Sequence, residues 1–266
     1  MYSLAVHQRV DAGGVGLHVA EAGEGHPLVF LHGLGWTHAL WAPAFDRYAA
    51  RYRVIAGDTR GHGQSDKPPG PYSITQFAKD WLATLEALDA GNAIVVGFSQ
   101  GGMIAQQMAL DSPSRFRGLF LACTACRSSA ASASNMELRI KAMLEGGAAA
   151  SARIAVRSIF SETFIDQNPA VVEQFVRCRA LSDQDALIAS MRATNGFDLQ
   201  ADLPSLRLPS QVVCASQDTL TPPARVAEVA QGLGVSMRIV EGAGHMVQVE
   251  QAEAFYAFLD EFLEAL

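Results

Sequence analysis

The chain has 266 residues, 49% hydrophobic and 18% charged, enough apolar material for a sizeable core in one large domain or a domain with an insertion. Its formal net charge of −7 comes from interspersed acids and bases without a basic run, which argues against nucleic acid and anionic membrane surfaces as partners. The opening MYSLAVHQRVDAGG lacks a basic start and apolar segment, and no apolar stretch approaches spanning length, so no signal peptide or membrane span is expected and a cytoplasmic location is.

Residues 4–10 and 15–21 pattern as two half-exposed strands joined by the turn Asp11-Ala12-Gly13-Gly14. Pro27–Leu31 reads as a buried strand running into His32-Gly33-Leu34-Gly35-Trp36. Helix is expected over about 40–50, then a short strand at Tyr52–Ala56 and a turn-rich loop from Gly57 to Asp66. Ser73 opens a helix to about Ala90 with Phe77, Trp81, Leu82, Leu85 and Leu88 on one face. The run from Ala93 into Gly97-Phe98-Ser99-Gln100-Gly101 is a strand buried on both faces, followed by helix at Met103–Leu110 and a strand at Gly118–Cys123. Strands alternating with amphipathic helices imply a parallel sheet covered on both sides.

The alternation stops at Arg127. Residues 127–205 carry no convincing strand, begin with the small-residue tract SSAASASN, and show helical patterns at Met136–Leu144, Ser151–Phe160, Ala170–Leu181 and Gln184–Ala193. Strand and helix resume with Gln211–Ala215, Pro222–Leu233, Ser236–Val240 and a closing helix at Gln251–Leu266. The expected division is therefore a sheet core over 1–126 and 206–266, with a helical cap over 127–205 folded across the carboxyl ends of the strands, where open parallel sheets bind ligands.

Chemistry concentrates at strand ends. Gly97 and Gly101 flank Ser99 two residues away on each side, as crowding at a sharp strand-to-helix turn demands. That turn lifts the hydroxyl clear of the sheet beside a helix N-terminus, where developing negative charge is favoured. A nucleophilic serine needs a base within reach and a third group holding that base in one tautomer. Asp218, after QVVCA, and His245, after MRIVEGAG, follow in the order Ser, Asp, His, and a parallel sheet brings all three to one edge. Singly, Asp218 could cap the helix near Pro222 and His245 could satisfy loop carbonyls; the ordered trio favours catalysis.

The other histidines have structural assignments. His32 is expected to brace its loop, His62 to join a network beside Asp58 and Arg60, and His7, His18, His26 and His38 have no indicated serine partner. Without HExxH, a Cys/His cluster at ligand spacing, a Walker-type loop or GxGxxG after a strand, no metal and no cofactor is expected. Cys123-Thr124-Ala125-Cys126 has no second pair and no helix start for redox work, so Cys123, Cys126, Cys178 and Cys214 are expected to be reduced thiols, three of them in apolar surroundings.

HGLGW at 32–36, DTRGHGQSD at 58–66, GFSQGG at 97–102, the Asp218 loop and GAGH at 242–245 together resemble the α/β-hydrolase superfamily over essentially the whole chain. The resemblance implies an eight-stranded, mostly parallel sheet flanked by helices, with a helical cap after the sixth strand. It makes Ser99 nucleophile, His245 base and Asp218 orienter, with the backbone N–H groups of Leu34 and Gln100 as oxyanion donors. Thr124-Ala125-Cys126, after the sixth strand, holds no carboxylate, so Asp218 must serve. GPYSITQFAKDWLATLEAL and GHMVQVEQAEAF are most similar to 3-oxoadipate enol-lactonases and neighbouring esterases, while Ser99 separates the chain from relatives that use aspartate there. The implied activity is serine hydrolysis of a small ester or lactone, with that small molecule as partner and self-association left open. Alternatives are a meta-cleavage C–C hydrolase, a cofactor-free perhydrolase or haloperoxidase, and a non-catalytic receptor. Leu34-Gly35 and Met246 depart from the usual C–C hydrolase residues, and the oxyanion loop lacks the proline typical of haloperoxidases. Likeness to enol-lactonases would further require a cap arginine, among Arg153, Arg157, Arg177, Arg179 and Arg192, to grip a substrate carboxylate.

Overall fold

In a computed structural model describing residues 2–266, the first hairpin pairs β1 (Val6–Asp11) antiparallel with β2 (Gly16–Ala22). Ala12 N–H closes its turn on Val15 O at 2.8 Å, and Gly13 and Gly14 supply the left-handed backbone that the turn requires. Strands β3 (His26–Leu31), β4 (Tyr52–Gly57), β5 (Ala93–Phe98), β6 (Phe116–Ala122), β7 (Ser210–Ala215) and β8 (Met237–Val240) complete one sheet. Its order is β1-β2-β4-β3-β5-β6-β7-β8, parallel throughout except at β1–β2 and β2–β4.

Alternating side chains divide the core between the two faces. Leu28, Phe30, Ile94 and Val96 pack with Trp41, Phe45, Phe255 and Leu259, from the neighbourhood of α1 (Ala42–Tyr48) and the closing helix. Val29, Leu31, Val95 and Leu119 pack with Phe77, Trp81, Ile104 and Val226, from α2 (Ile74–Ala87), α3 (Gln100–Asp111) and a helix after β7. Ser73 caps α2 by accepting Gln76 N–H at 3.0 Å, and Phe77, Trp81 and Leu85 are its buried anchors, each worth about 1.5–3 kcal/mol of burial.

Between β6 and β7 lie α4 (Ala130–Ile159), α5 (Glu162–Gln167), α6 (Pro169–Ala180) and α7 (Gln184–Ala193). One difference from the sequence expectation has a local cause. The tract SSAASASN starts a helix, because Ser129 and Ser132 form a reciprocal capping box. The helices expected at 136–144 and 151–160 both form, because Gly147, at φ +76° and ψ 179°, breaks α4 at a kink into two helical segments. Met136, Ile140, Met143, Leu187, Ile188 and Met191 form a separate small core that reaches Leu34. After β7 come α8 (Pro223–Leu233), α9 (Val247–Glu250) and α10 (Ala252–Glu264), so the closing helix is preceded by a separate turn of helix. None of the described helices is long and apolar enough to cross a membrane.

Candidate active site

Ser99 stands between β5 and α3 at φ +53°, ψ −119°, a conformation costly for a residue with a side chain. Its amide donates to Ala122 O at 2.9 Å, while its carbonyl accepts from Gly102 N–H at 2.9 Å and the Thr124 hydroxyl at 2.7 Å. A Cβ on Gly97 would stand 2.7 Å from Gly102 Cα, and one on Gly101 would stand 2.3 Å from Leu31 O. The glycines thus let the helix start press against two strand ends. The helix begins at Gln100 rather than Met103, which makes Ser99 its N-cap residue and leaves Gln100 N–H in the open first turn.

The three residues expected from strand ends meet there. His245 Nδ1 donates to Asp218 Oδ2 at 2.7 Å, and the Ser99 hydroxyl lies 2.9 Å from His245 Nε2. All three are buried, and Phe98 stacks obliquely on the imidazole at 5.0 Å. The capping role considered for Asp218 coexists with this one. Its Oδ1 accepts Leu220 and Thr221 N–H at 2.8 and 2.9 Å, leaving Oδ2 to face the histidine. Sequence reasoning missed Thr221, whose hydroxyl lies 2.7 Å from Asp218 Oδ2 and 3.2 Å from His245 Nδ1. Cys123, Asp218 and His245 also offer potential ligand atoms within 4.8 Å of one another. Burial pushes the Cys123 thiol well above its ordinary range, and His245 Nδ1 already holds a proton toward Asp218, so this trio is a poor metal site.

The loop after β3 approaches Ser99 from the other side. Thr59 N–H donates to His32 Nε2 at 3.0 Å, so His32 carries its proton on Nδ1 and donates to Gly33 O at 2.7 Å. Burial lowers the His32 pKa, consistent with a neutral brace rather than a base. Leu34 and Gln100, the expected oxyanion pair, line one cavity with Ser99 and His245. The network expected around His62 is divided among other partners. Asp58 binds His38, with Nδ1 to Oδ1 at 2.8 Å, and Arg60 forks onto Asp80 at 2.7 Å, leaving His62 bonded to Arg60 O at 3.1 Å. Cys123, Cys126 and Cys214 are buried, Cys178 is exposed, and all four are free.

The cavity holds about 410 Å³ and is lined mainly by apolar groups, among them Trp36, Met103, Ile159, Phe197 and Leu220. Arg139 also lines it. Of the five arginines singled out from sequence, Arg153, Arg157, Arg177 and Arg192 are exposed. Arg179 is buried between Trp36 and Phe175 and donates to Leu34 O at 3.1 Å. Arg139, absent from that set, is 3% exposed, and its one close polar contact among the described residues is Met136 Sδ at 3.6 Å. Its Nε and the Nη1 of Arg179 are buried without a partner among the described residues. Burial pulls Arg139 down to about 10; burial plus the charge of Arg139 pulls Arg179 down to about 9. A signal was present: Met136, Arg139, Ile140 and Met143 fall at i, i+3, i+4 and i+7, which puts the arginine inside an apolar stripe. Sequence reasoning also missed the tie between Gln100 and α7, where Nε2 donates to Ser190 O at 3.0 Å and Ser190 Oγ lies 3.2 Å from Oε1.

Residues 26–252 match the family model described as alpha/beta hydrolase fold. The chain is 31% identical over 228 residues to 3-oxoadipate enol-lactonase 2 of Acinetobacter baylyi, spanning 86% of this chain and 85% of that one. The crystal structure of the enol-lactonase from Burkholderia xenovorans LB400 superposes with a TM-score of 0.89 at 27% identity, covering 97% of this chain and all (100%) of that one. Est816, titled an N-acyl homoserine lactone degrading enzyme, superposes with a TM-score of 0.84 at 27% identity, over 96% of this chain and 100% of that one.

Proposed function

The chain belongs to the alpha/beta hydrolase fold family, and on that premise we propose that it is a serine hydrolase cleaving a small carboxylic ester or lactone that carries a second, free carboxylate. The observation that carries the reaction type is the hydrogen-bonded series Asp218–His245–Ser99 opening into a largely apolar cavity. Ser99 Oγ attacks the substrate carbonyl while His245 Nε2 takes the hydroxyl proton. Asp218 stays ionised and holds the Nδ1–H tautomer. The tetrahedral oxyanion is received by Leu34 and Gln100 N–H. His245 then returns the proton to the leaving oxygen, and a water activated by His245 releases the acyl group from Ser99. In a lactone the leaving oxygen remains tethered to the acyl chain, so the product is one ring-opened acid.

The carboxylate in the substrate rests on Arg139. A buried guanidinium without an anionic partner is costly, and a ligand carboxylate would satisfy it with charge-assisted hydrogen bonds. Relatives named 3-oxoadipate enol-lactonase support the same class, because a dicarboxylate that lactonises through one carboxyl keeps the other. The test is kcat/KM for an anionic lactone or ester against its neutral methyl ester, measured on wild type and Ser99→Ala. We expect preference for the anion and loss of both activities in Ser99→Ala. Preference for the neutral ester would remove the carboxylate from the proposal, and full activity in Ser99→Ala would remove the serine.

A further inference from the structure

We propose that His7, His18 and His38 form a binding site for a divalent transition metal, with Zn²⁺ as the ion that fits it best. The site is independent of the hydrolase chemistry. The strand register builds it: Arg9 pairs with His18 and His7 with Ala20, so His7 and His18 lie diagonally on one face of the β1–β2 hairpin. His38 arrives from the short 3-10 turn at His38–Trp41 that follows β3. The three rings cluster with centroids 4.7 to 5.4 Å apart, and each offers a nitrogen within 4.8 Å of the others.

The ring nitrogens suit ligation. His7 Nδ1 and His18 Nε2 stand 3.1 Å apart, close to the roughly 3.3 Å separating two ligands of a tetrahedral zinc with ~2.0–2.1 Å bonds. His38 donates from Nδ1 to Asp58 Oδ1 at 2.8 Å, which fixes the tautomer and turns the Nε2 lone pair outward. A carboxylate behind a ligating imidazole is the usual support of a histidine metal ligand. Asp58 is itself fixed by His38 N–H at 2.7 Å and Gln64 N–H at 2.8 Å. The nearest guanidinium on the hairpin, Arg9, is engaged by Asp66 at 2.5 Å. The Gln64 side-chain amide, whose nitrogen lies 3.2 Å from His18 Nε2, can turn its oxygen toward a fourth position, or water can fill it. His7 is exposed, His18 half-buried and His38 buried, an arrangement open to solvent on one side and anchored on the other. Bound metal would pin the edge hairpin to the segment after β3.

The test is titration of chelator-treated protein with ZnCl₂ by calorimetry at neutral pH, with melting temperature as a second readout. Wild type should take up one equivalent and melt higher with zinc. His7→Ala, at an exposed position that folding does not need, and His18→Gln should each weaken binding on the order of 10-fold or more and lose the thermal shift. Asp218→Asn, which alters the Cys123–Asp218–His245 group, should keep the equivalent. Failure of wild type to bind stoichiometric zinc, unchanged binding in His7→Ala, or loss of binding in Asp218→Asn would each overturn the proposal.

Discussion

Replacing Arg139 with methionine should make the protein more stable and the enzyme more selective in the wrong direction. The side chain is 3% exposed and has no carboxylate partner among the described residues, and burial lowers its pKa to about 10. At 1.36 kcal/mol per unit, the folded state bears a penalty of roughly 3 kcal/mol for keeping this group charged. The sign follows from linkage: a cation whose folded pKa is depressed destabilises the fold at every pH below that value, so the penalty is fully present at neutrality. Methionine fills similar volume among Met136, Ile140 and Met143 without the charge. With about 2–4 °C per kcal/mol for a chain of this size, the melting temperature should rise by roughly 6–12 °C. The same change removes the group that would receive a substrate carboxylate. A charge-assisted hydrogen bond of ~1.5–3 kcal/mol corresponds to a loss of about 10- to 150-fold in kcat/KM for an anionic lactone. The neutral methyl ester should change by less than about 3-fold, since it makes no such bond. Scanning fluorimetry and paired steady-state assays on one preparation read both effects. A lower melting temperature together with equal loss on both substrates would refute the reasoning and make Arg139 a structural residue.

Asp218→Asn should lower kcat on the order of 10³- to 10⁴-fold with little change in KM, because the amide presents the wrong partner to His245 Nδ1; near-normal turnover would mean another group orients the base. Asp58 gives a pH-dependent term. Its carboxyl, held at about 2 against 3.8 for an ordinary one, contributes about 2 kcal/mol above pH 4, and this is lost as pH falls through 2. In chelator, acid denaturation between pH 4 and 2 should therefore be shallower in Asp58→Asn than in wild type; identical acid limbs would contradict the assignment.

Features that depend on residues close in the chain were legible in the sequence. The turn at Ser99 needs small neighbours within two positions, and Gly97 and Gly101 are there to see. That Asp218 and His245 come to lie beside Ser99 follows from their positions after β7 and β8, because a parallel sheet delivers those strand ends to one edge. Features made by long-range packing were not legible. The spacing that sets Arg139 inside the stripe Met136–Ile140–Met143 is in the sequence, but that the arginine lines a cavity with Ser99 emerges only from the packing of α4. Gln100 and Ser190 are 90 positions apart and meet only once α7 lies over the serine turn. The three histidines lack any ligand spacing in the sequence, because antiparallel register and a turn after β3 bring them together. The small-residue tract after Arg127 carries no apolar stripe to mark it as helix, yet Ser129 and Ser132 form a capping box that starts α4. Gly147 then breaks α4 at a kink into two helical segments.

The most direct test of the central claim is covalent trapping of the nucleophile. Phenylmethylsulfonyl fluoride should add one sulfonyl group per chain, located by peptide mass spectrometry on Ser99 and accompanied by loss of ester hydrolysis. Ser99→Ala should remain unlabelled, and His245→Gln should label far more slowly. A label on any other residue, or inhibition without a label on Ser99, would contradict the account.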